Sequence, residues 1–93
     1  MIVTSQPADV TAAAGETAKF TVSAKCDTTF TYQWQYSKDG GASWLNVNSY
    51  VGATTATVEV PATANNNGRM YRVKFVNKYG DVFYSEAGTL TVQ

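Results

Sequence analysis

The chain has 93 residues, 44% of them apolar and 15% charged, and its seven basic residues balance its seven acidic ones. A chain of this length and composition is expected to fold as a single domain over residues 1–93 and, in isolation, to be a monomer. Without a net positive charge it lacks the general attraction to phosphates, so nucleic acid is not expected as a partner. No apolar run approaches the roughly 20 residues that cross a bilayer, so direct membrane insertion is not expected either.

Alternating apolar and polar residues predict β-strands through most of the chain, and no stretch keeps the apolar spacing of a helix. In chain order, strands are expected at residues 19–24, 31–36, 55–60, 71–75 and 89–92. Turn-forming residues separate them at 7–9, 14–16, 37–41, 65–68 and 77–81, and one helical turn is expected at 61–64. Strands separated by a turn about every ten residues are typical of an all-β sandwich or barrel.

The same alternation assigns an inner and an outer face to each strand, because successive side chains point to opposite sides of a sheet. Phe20, Trp34 and Tyr71 are expected in the core. Outward positions are expected for the polar residues between the core positions, namely Gln33, Gln35, Arg72 and Lys74.

Several of these segments resemble an immunoglobulin domain of the I-set type. Residues 15–22, GETAKFTV, resemble its B strand, Tyr32-Gln33-Trp34 its C strand with the core tryptophan, and Asn77-Lys78-Tyr79-Gly80 its F–G turn. Residues 67–73, NGRMYRV, resemble the turn into strand F, with Tyr71 at the tyrosine-corner position. The resemblance implies an immunoglobulin-like β-sandwich of about seven to eight antiparallel strands. It also implies that Trp34 lies between the sheets and that the Tyr71 hydroxyl bonds to the backbone a few residues upstream.

One hairpin resembles a narrower group within that family. The sequence YSKDGGASW at residues 36–44 is similar to the C–C′ hairpin of the Ig-like repeats in large bacterial cell-surface and secreted multidomain proteins. This resemblance implies an extracellular or cell-surface location. The first residues do not resemble a signal peptide, which leaves either a cytosolic protein or a module excised from a longer chain. The resemblance favours a module excised from a longer multidomain chain.

The chain departs from the family pattern at its cysteines. Cys26 is the only one, so no disulfide can form within the chain, and Val22 and Val73 stand at the positions where the family carries its inter-sheet pair. That bond would close a loop of about 50 residues and stabilise the domain by roughly 4 kcal/mol in the chain-entropy model. Two buried valines contribute roughly 1.5–3 kcal/mol each, so the sandwich is expected to hold without the bridge.

The sequence offers little for catalysis or metal binding. It has no histidine, which is the commonest general base and metal ligand, and its acidic residues are scattered over turns and outward strand positions. Asp39 and Asp81 lie in glycine-containing loops but not in an alternating run of oxygen ligands, so no Ca²⁺ site is expected there. We therefore predict no catalytic residue, no cofactor and no metal site, and expect the chain not to be an enzyme.

Aromatic residues in or near the hairpins are the remaining candidates for a binding site, since exposed rings can stack on a sugar or anchor a protein. The candidates are Trp44, Tyr79, Phe83 and Tyr84, with Tyr50 also near a hairpin. The alternative for Trp44 and Phe83 is that they cover the open edges of a small core. For Tyr79, in the F–G turn, a binding role and a purely structural role both stay open.

Two kinds of function fit these observations, with a third as a weaker alternative. The first is a non-enzymatic spacer or adhesion module of a bacterial extracellular or cell-surface protein, with neighbouring domains and a protein or glycan ligand as partners. The second is a carbohydrate-binding or accessory module of a secreted glycoside hydrolase. The third is an engineered immunoglobulin scaffold that binds through its F–G and B–C loops.

Overall fold

A computed structural model describes all 93 residues. It contains ten β segments: β1 Ile2–Ser5, β2 Val10–Ala12, β3 Thr17–Thr21, β4 Ser23–Lys25, β5 Phe30–Ser37, β6 Leu45–Asn46, β7 Thr57–Pro61, β8 Met70–Asn77, β9 Val82–Tyr84 and β10 Gly88–Val92. A single 3-10 turn, Ala64–Asn66, is the only helical element, and no helix has the length and apolar character needed to span a membrane.

The ten segments form seven strands, because three strands are interrupted. β1 and β2 are separated around Pro7, β3 and β4 at Val22, and β9 and β10 at residues 85–87. Pro7 has no backbone N–H to give to a ladder, and the strand moves from one sheet to the other at this point. The strand count agrees with the expected seven to eight.

The strands make two sheets that face each other. In the smaller sheet β1 pairs with β4 and β3 pairs with β7. The larger sheet has the order β2-β10-β8-β5-β6, and β9 also pairs with β8. Its longest ladder joins β5 and β8 over eight residue pairs, from Phe30 opposite Asn77 to Ser37 opposite Met70.

The expectation that all strands are antiparallel is wrong for one pair. β2 runs parallel to β10, with Leu90 opposite Val10 and Val92 opposite Ala12. The first strand begins antiparallel to β4 in the smaller sheet and then crosses to the far edge of the larger sheet. At that edge it meets the last strand while both run in the same direction.

The core lies between the sheets and holds the residues that alternation predicted. Phe20 is 1% exposed, and Trp34 and Tyr71 are fully buried. The Trp34 indole Nε1 donates to the carbonyl of Thr55 at 2.7 Å, so the buried ring leaves no unpaired donor. Val22 and Val73 are also buried, and Cys26 is a free, half-buried thiol whose pKa is lowered by hydrogen bonding to Thr28.

Two expectations at the turn into strand F need correction. The helical turn forms at Ala64–Asn66 and not at 61–64, because Pro61 still pairs with Thr17 at the end of β7. The Tyr71 hydroxyl finds no hydrogen-bond partner, although the ring is buried as expected. The Asn66 side chain bonds this corner instead, since its Nδ2 donates to the carbonyl of Pro61 at 2.7 Å.

The molecule is elongated, with dimensions of 40 × 23 × 21 Å. Residue 2 pairs with Lys25 at the end of β4, next to the B–C loop. Gln93 bonds to Ala12 and Ala14, next to the turn that contacts Ala62. The two ends of the chain therefore lie at opposite ends of the sandwich.

Candidate functional site

An arginine lies between two aromatic rings on the outer face of the larger sheet. The Arg72 guanidinium carbon is 4.2 Å from the ring centroid of Trp44 and 4.2 Å from that of Tyr84. Stacking of this kind is favourable because a ring presents a negative face to the cation. We call this surface the Arg72 face; it consists of Gln33, Gln35, Trp44, Asn46, Arg72, Lys74 and Tyr84.

Strand register brings these residues together from four segments. Gln35 lies opposite Arg72 in the β5–β8 ladder and opposite Asn46 in the β5–β6 ladder. Lys74 lies opposite Tyr84 in the β8–β9 ladder. Because paired residues point to the same side of a sheet, these side chains share one face.

Two consecutive side-chain hydrogen bonds fix the position of the Arg72 guanidinium. Gln35 Oε1 accepts from Arg72 Nε at 3.0 Å, and Gln35 Nε2 donates to Asn46 Oδ1 at 3.0 Å. Gln35 is only 9% exposed, although it lies on the outer face as expected. The contact uses Nε alone, so the two terminal amino groups of the guanidinium remain available to a partner.

The C–C′ hairpin positions Trp44. Asp39 Oδ1 accepts from Ser37 Oγ at 2.7 Å and from Ser43 N at 3.0 Å, and its Oδ2 accepts from Ser43 Oγ at 2.6 Å. These hydrogen bonds, from Ser43 first and then from Ser37, lower the pKa of Asp39 to about 2. The carboxylate is thus engaged in closing the loop that leads directly into Trp44.

The β8–β9 hairpin positions Tyr84, and a β-bulge follows it. Tyr84 lies opposite Lys74, but Gly88 lies opposite Tyr71, so the register shifts by one residue between them. Within the bulge, Ser85 Oγ accepts from the Val73 N–H at 2.9 Å and donates to the Glu86 carbonyl at 2.8 Å. The Ser85 side chain replaces a missing backbone partner and lets the strand continue past the shift.

The four aromatic candidates separate into different places. Trp44 and Tyr84 meet through Arg72 on the Arg72 face. Tyr79 stands apart in the F–G turn, 71% exposed, with Lys78 Nζ 5.2 Å from its ring centroid. Phe83 turns inward, half-buried and opposite Phe75.

The sequence predicted outward positions for Arg72 and Gln35 but did not assign them to a binding site. It gave no role to Asn46. The available signal was a cation on an outward strand position between aromatic-rich strands.

The outward positions of the strands also determine the charge of the Arg72 face. The outward residues of β5, β6, β8 and β9 include the cations Arg72 and Lys74 and no acid, and no three metal-ligating side chains cluster anywhere in the chain.

The chain was compared with protein families, with curated sequences and with solved structures, and the solved structures agree with this fold. No protein-family model matches the chain. Over 81 residues it is 41% identical to endoglucanase C of Cellulomonas fimi, a match that covers 87% of this chain but only 7% of that protein. Murine CRIg superposes with a TM-score of 0.57 at 11% identity, covering 96% of this chain and 95% of that chain.

The immunoglobulin domain in a complex of titin M10 with obscurin-like 1 gives a TM-score of 0.55 at 19% identity, covering 98% of this chain and 91% of that chain. At these identities the two structural likenesses bear on the fold alone. Together with the two facing sheets, the buried Trp34 and the valine pair, they identify the domain as an immunoglobulin-like β-sandwich without an inter-sheet disulfide.

Proposed function

We propose that this domain is a non-enzymatic, immunoglobulin-like accessory module of a secreted, multidomain bacterial protein, placed beside a glycan-degrading catalytic domain. The observation that carries the proposal is the unequal coverage of the endoglucanase match. Most of this chain, 87%, corresponds to a stretch that makes up only 7% of the enzyme. Such unequal coverage is expected when a short domain corresponds to one module of a much larger chain.

The chemistry of the surface supports a role without catalysis. Glycoside hydrolysis commonly uses two carboxyl groups on either side of the scissile bond. Here the Asp39 carboxylate is engaged within its hairpin, and that of Asp81 accepts from Asn77 Nδ2 at 3.2 Å in the F–G turn. The Arg72 face carries no acid at all.

The positions of the chain ends support a place between neighbouring domains. Residue 2 and Gln93 lie at opposite ends of a body 40 Å long. A chain that continued on both sides would leave in opposite directions, as a spacer requires. An extracellular location is part of this proposal and rests on the endoglucanase match.

The Arg72 face is the surface we assign to contact with a protein partner, in the first place a neighbouring domain. Tryptophan, tyrosine and arginine are the residues that contribute most to binding at protein interfaces. Arg72 already covers one face of each ring, which leaves less aromatic surface for a sugar. The stack is also held rigid by the hydrogen bond from Arg72 Nε to Gln35, so little side-chain entropy is lost on docking.

A chimera tests the proposal. The segment of endoglucanase C that matches this chain would be replaced by this domain, and the thermal stability and endoglucanase activity of the product compared with those of the parent and of a deletion variant. We expect the chimera to match the parent and the deletion to lose stability or activity.

Variants of the domain within the chimera locate the contact. Trp44→Ala and Arg72→Ala should reproduce part of the deletion effect, whereas Tyr79→Ala, which removes an exposed aromatic outside the Arg72 face, should not. A deletion variant indistinguishable from the parent would overturn the accessory role. Release of reducing sugar by the isolated domain would overturn the claim that it is not an enzyme.

A further inference from the structure

A cleft of about 390 Å³ opens at the edge of the larger sheet, beside β6. Its polar and aromatic lining consists of Tyr36, Asn46, Asn48, Ser49, Tyr50 and Arg69. The volume falls within the roughly 300–1,000 Å³ range of small-molecule sites. We call it the Tyr36 cleft; it shares only Asn46 with the Arg72 face.

The cleft exists because the edge strand is very short. β6 has only two residues, after which Val47 turns into the core and its N–H donates to the carbonyl of Trp34 at 2.9 Å. Residues 48–50 then form the outer wall. The Tyr50 hydroxyl, 3.4 Å from Asn66 Oδ1, ties that wall to the corner before strand F.

The lining favours an anionic, polar ligand. Arg69 is the only charged side chain in it, and its guanidinium lies 5.2 Å from the centroid of the Tyr36 ring. An arginine held in this way can bind a carboxylate through two parallel hydrogen bonds. Asn48 and Ser49 supply donors and acceptors for hydroxyl groups, and the Tyr50 ring supplies a flat surface for a sugar ring.

An independent observation points to the same place. The Tyr71 hydroxyl is fully buried and has no partner in hydrogen-bonding geometry. Tyr71 lies opposite Tyr36 in the β5–β8 ladder and two residues after Arg69, and both of those residues line the cleft. Tyr71 is therefore a neighbour of the residues that line the cleft. Unpaired buried polar groups are rare in folded proteins, so the packing beside the cleft departs from the usual pattern.

We infer that the Tyr36 cleft binds a uronate unit of an acidic glycan, with its carboxylate on Arg69 and its hydroxyl groups on Asn48 and Ser49. The choice of a sugar over another small carboxylate rests on the proposed function, whereas the choice of an anion rests on the cleft itself. This site is distinct from the protein contact assigned to the Arg72 face.

The test is an NMR titration of the ¹⁵N-labelled domain with trigalacturonate, with cellotriose as the neutral counterpart and acetate as the simple anion. We expect saturable shifts at residues 46–50 and 69 with trigalacturonate, and binding at least tenfold weaker with either of the other two. Arg69→Gln should weaken trigalacturonate binding tenfold or more. Lys74→Gln removes the same charge from the Arg72 face and should leave that binding unchanged.

Several results would overturn the inference. They are no saturable shift with trigalacturonate, equal binding of cellotriose or acetate, or equal loss of binding in Arg69→Gln and Lys74→Gln. Thermal melts of both variants establish that each is folded. The two proposals fail separately, because the titration depends on Arg69 and the chimera depends on Trp44 and Arg72.

Discussion

Tyr71 combines a favourable ring with an unfavourable hydroxyl. The ring packs 4.9 Å from the ring of Phe20, centroid to centroid, and is fully buried. Burial also raises the pKa of the Tyr71 hydroxyl, since a phenolate would be poorly solvated there. The neutral hydroxyl still lacks a partner. The ring and the hydroxyl therefore contribute to stability with opposite signs.

Two substitutions at Tyr71 separate these contributions. Tyr71→Phe removes an unpaired polar group and should leave the free energy of unfolding unchanged or raise it by about 1 kcal/mol. Tyr71→Ala also removes the ring and should lower it by about 3–5 kcal/mol through the cavity left behind. Equilibrium denaturation of both variants measures the difference. A loss of 1 kcal/mol or more in Tyr71→Phe would mean that the hydroxyl has a partner in solution.

Burial of single residues was predictable, but the bonding at the strand F corner was not. Alternation alone placed Phe20, Trp34 and Tyr71 in the core, because a sheet has only two faces. Which side chain bonds the corner depends on where the helical turn forms. With that turn at Ala64–Asn66, the Asn66 amide reaches the Pro61 carbonyl.

At the scale of elements, the C–C′ hairpin depends on one carboxylate. Asp39 joins Ser37 to Ser43 across a loop that also contains Gly40 and Gly41, both with positive φ, of 73° and 96°. Positive φ values favour glycine, so the loop conformation is fixed by both the backbone and the carboxylate. Trp44 follows directly, and the geometry of the Arg72 face therefore depends on this hairpin.

The hairpin should make stability depend on pH in the acid range. The pKa of Asp39 is about 2 in the folded state against a reference value of 3.8, so its contribution is complete above pH 3.8 and is lost as pH falls toward 2. Asp39→Asn should be less stable than the wild type at pH 7. The gap in free energy of unfolding should narrow between about pH 4 and pH 2.

Denaturant unfolding at a series of pH values measures that gap. Asp27→Asn, which removes an exposed carboxylate outside the hairpin, is the control and should not show the same narrowing. A constant difference between the wild type and Asp39→Asn down to pH 2 would contradict the assignment of charged hydrogen bonds to Asp39.

The Arg72 face was less predictable than the strands that form it. The alternation in residues 71–75 put Arg72 outside, but it did not predict the contacts of Arg72 with Trp44 and Tyr84. Trp44 comes just before β6, which is separated from β8 by β5, and Tyr84 is a diagonal neighbour on β9. Both contacts depend on how strands pair, which the alternation within one strand does not give. Val82–Tyr84 was not predicted as a strand because its three apolar residues stand in a row and show no alternation.

For the molecule as a whole, the two sheets pack on a shared apolar core and no disulfide joins them. Val22 interrupts the β3–β4 strand of the smaller sheet, and Val73 lies in β8 of the larger sheet. Both belong to one buried cluster with Trp34 and Leu90. In the resemblance to immunoglobulin domains, these two valines stand at the positions of the family's cysteine pair. Their burial on facing sheets agrees with that correspondence.

A double substitution tests whether this equivalence is geometric. In Val22→Cys/Val73→Cys, a bridge would close a loop of about 50 residues and gain roughly 4 kcal/mol in the chain-entropy model, less the lost valine burial of roughly 1.5–3 kcal/mol for each side chain. The two effects nearly cancel in the free energy of unfolding, so the informative quantity is the dependence of the melting temperature on reductant.

The oxidised variant should melt at a higher temperature than its reduced form, whereas the melting temperature of the wild type should not change with reductant. Thiol counting before the melts establishes whether the bridge has formed with Cys26 left free. A folded variant that keeps three free thiols under oxidising conditions would mean that the two valines do not face each other, and that these sheets pack in a different register from those of the disulfide-bonded immunoglobulin domains.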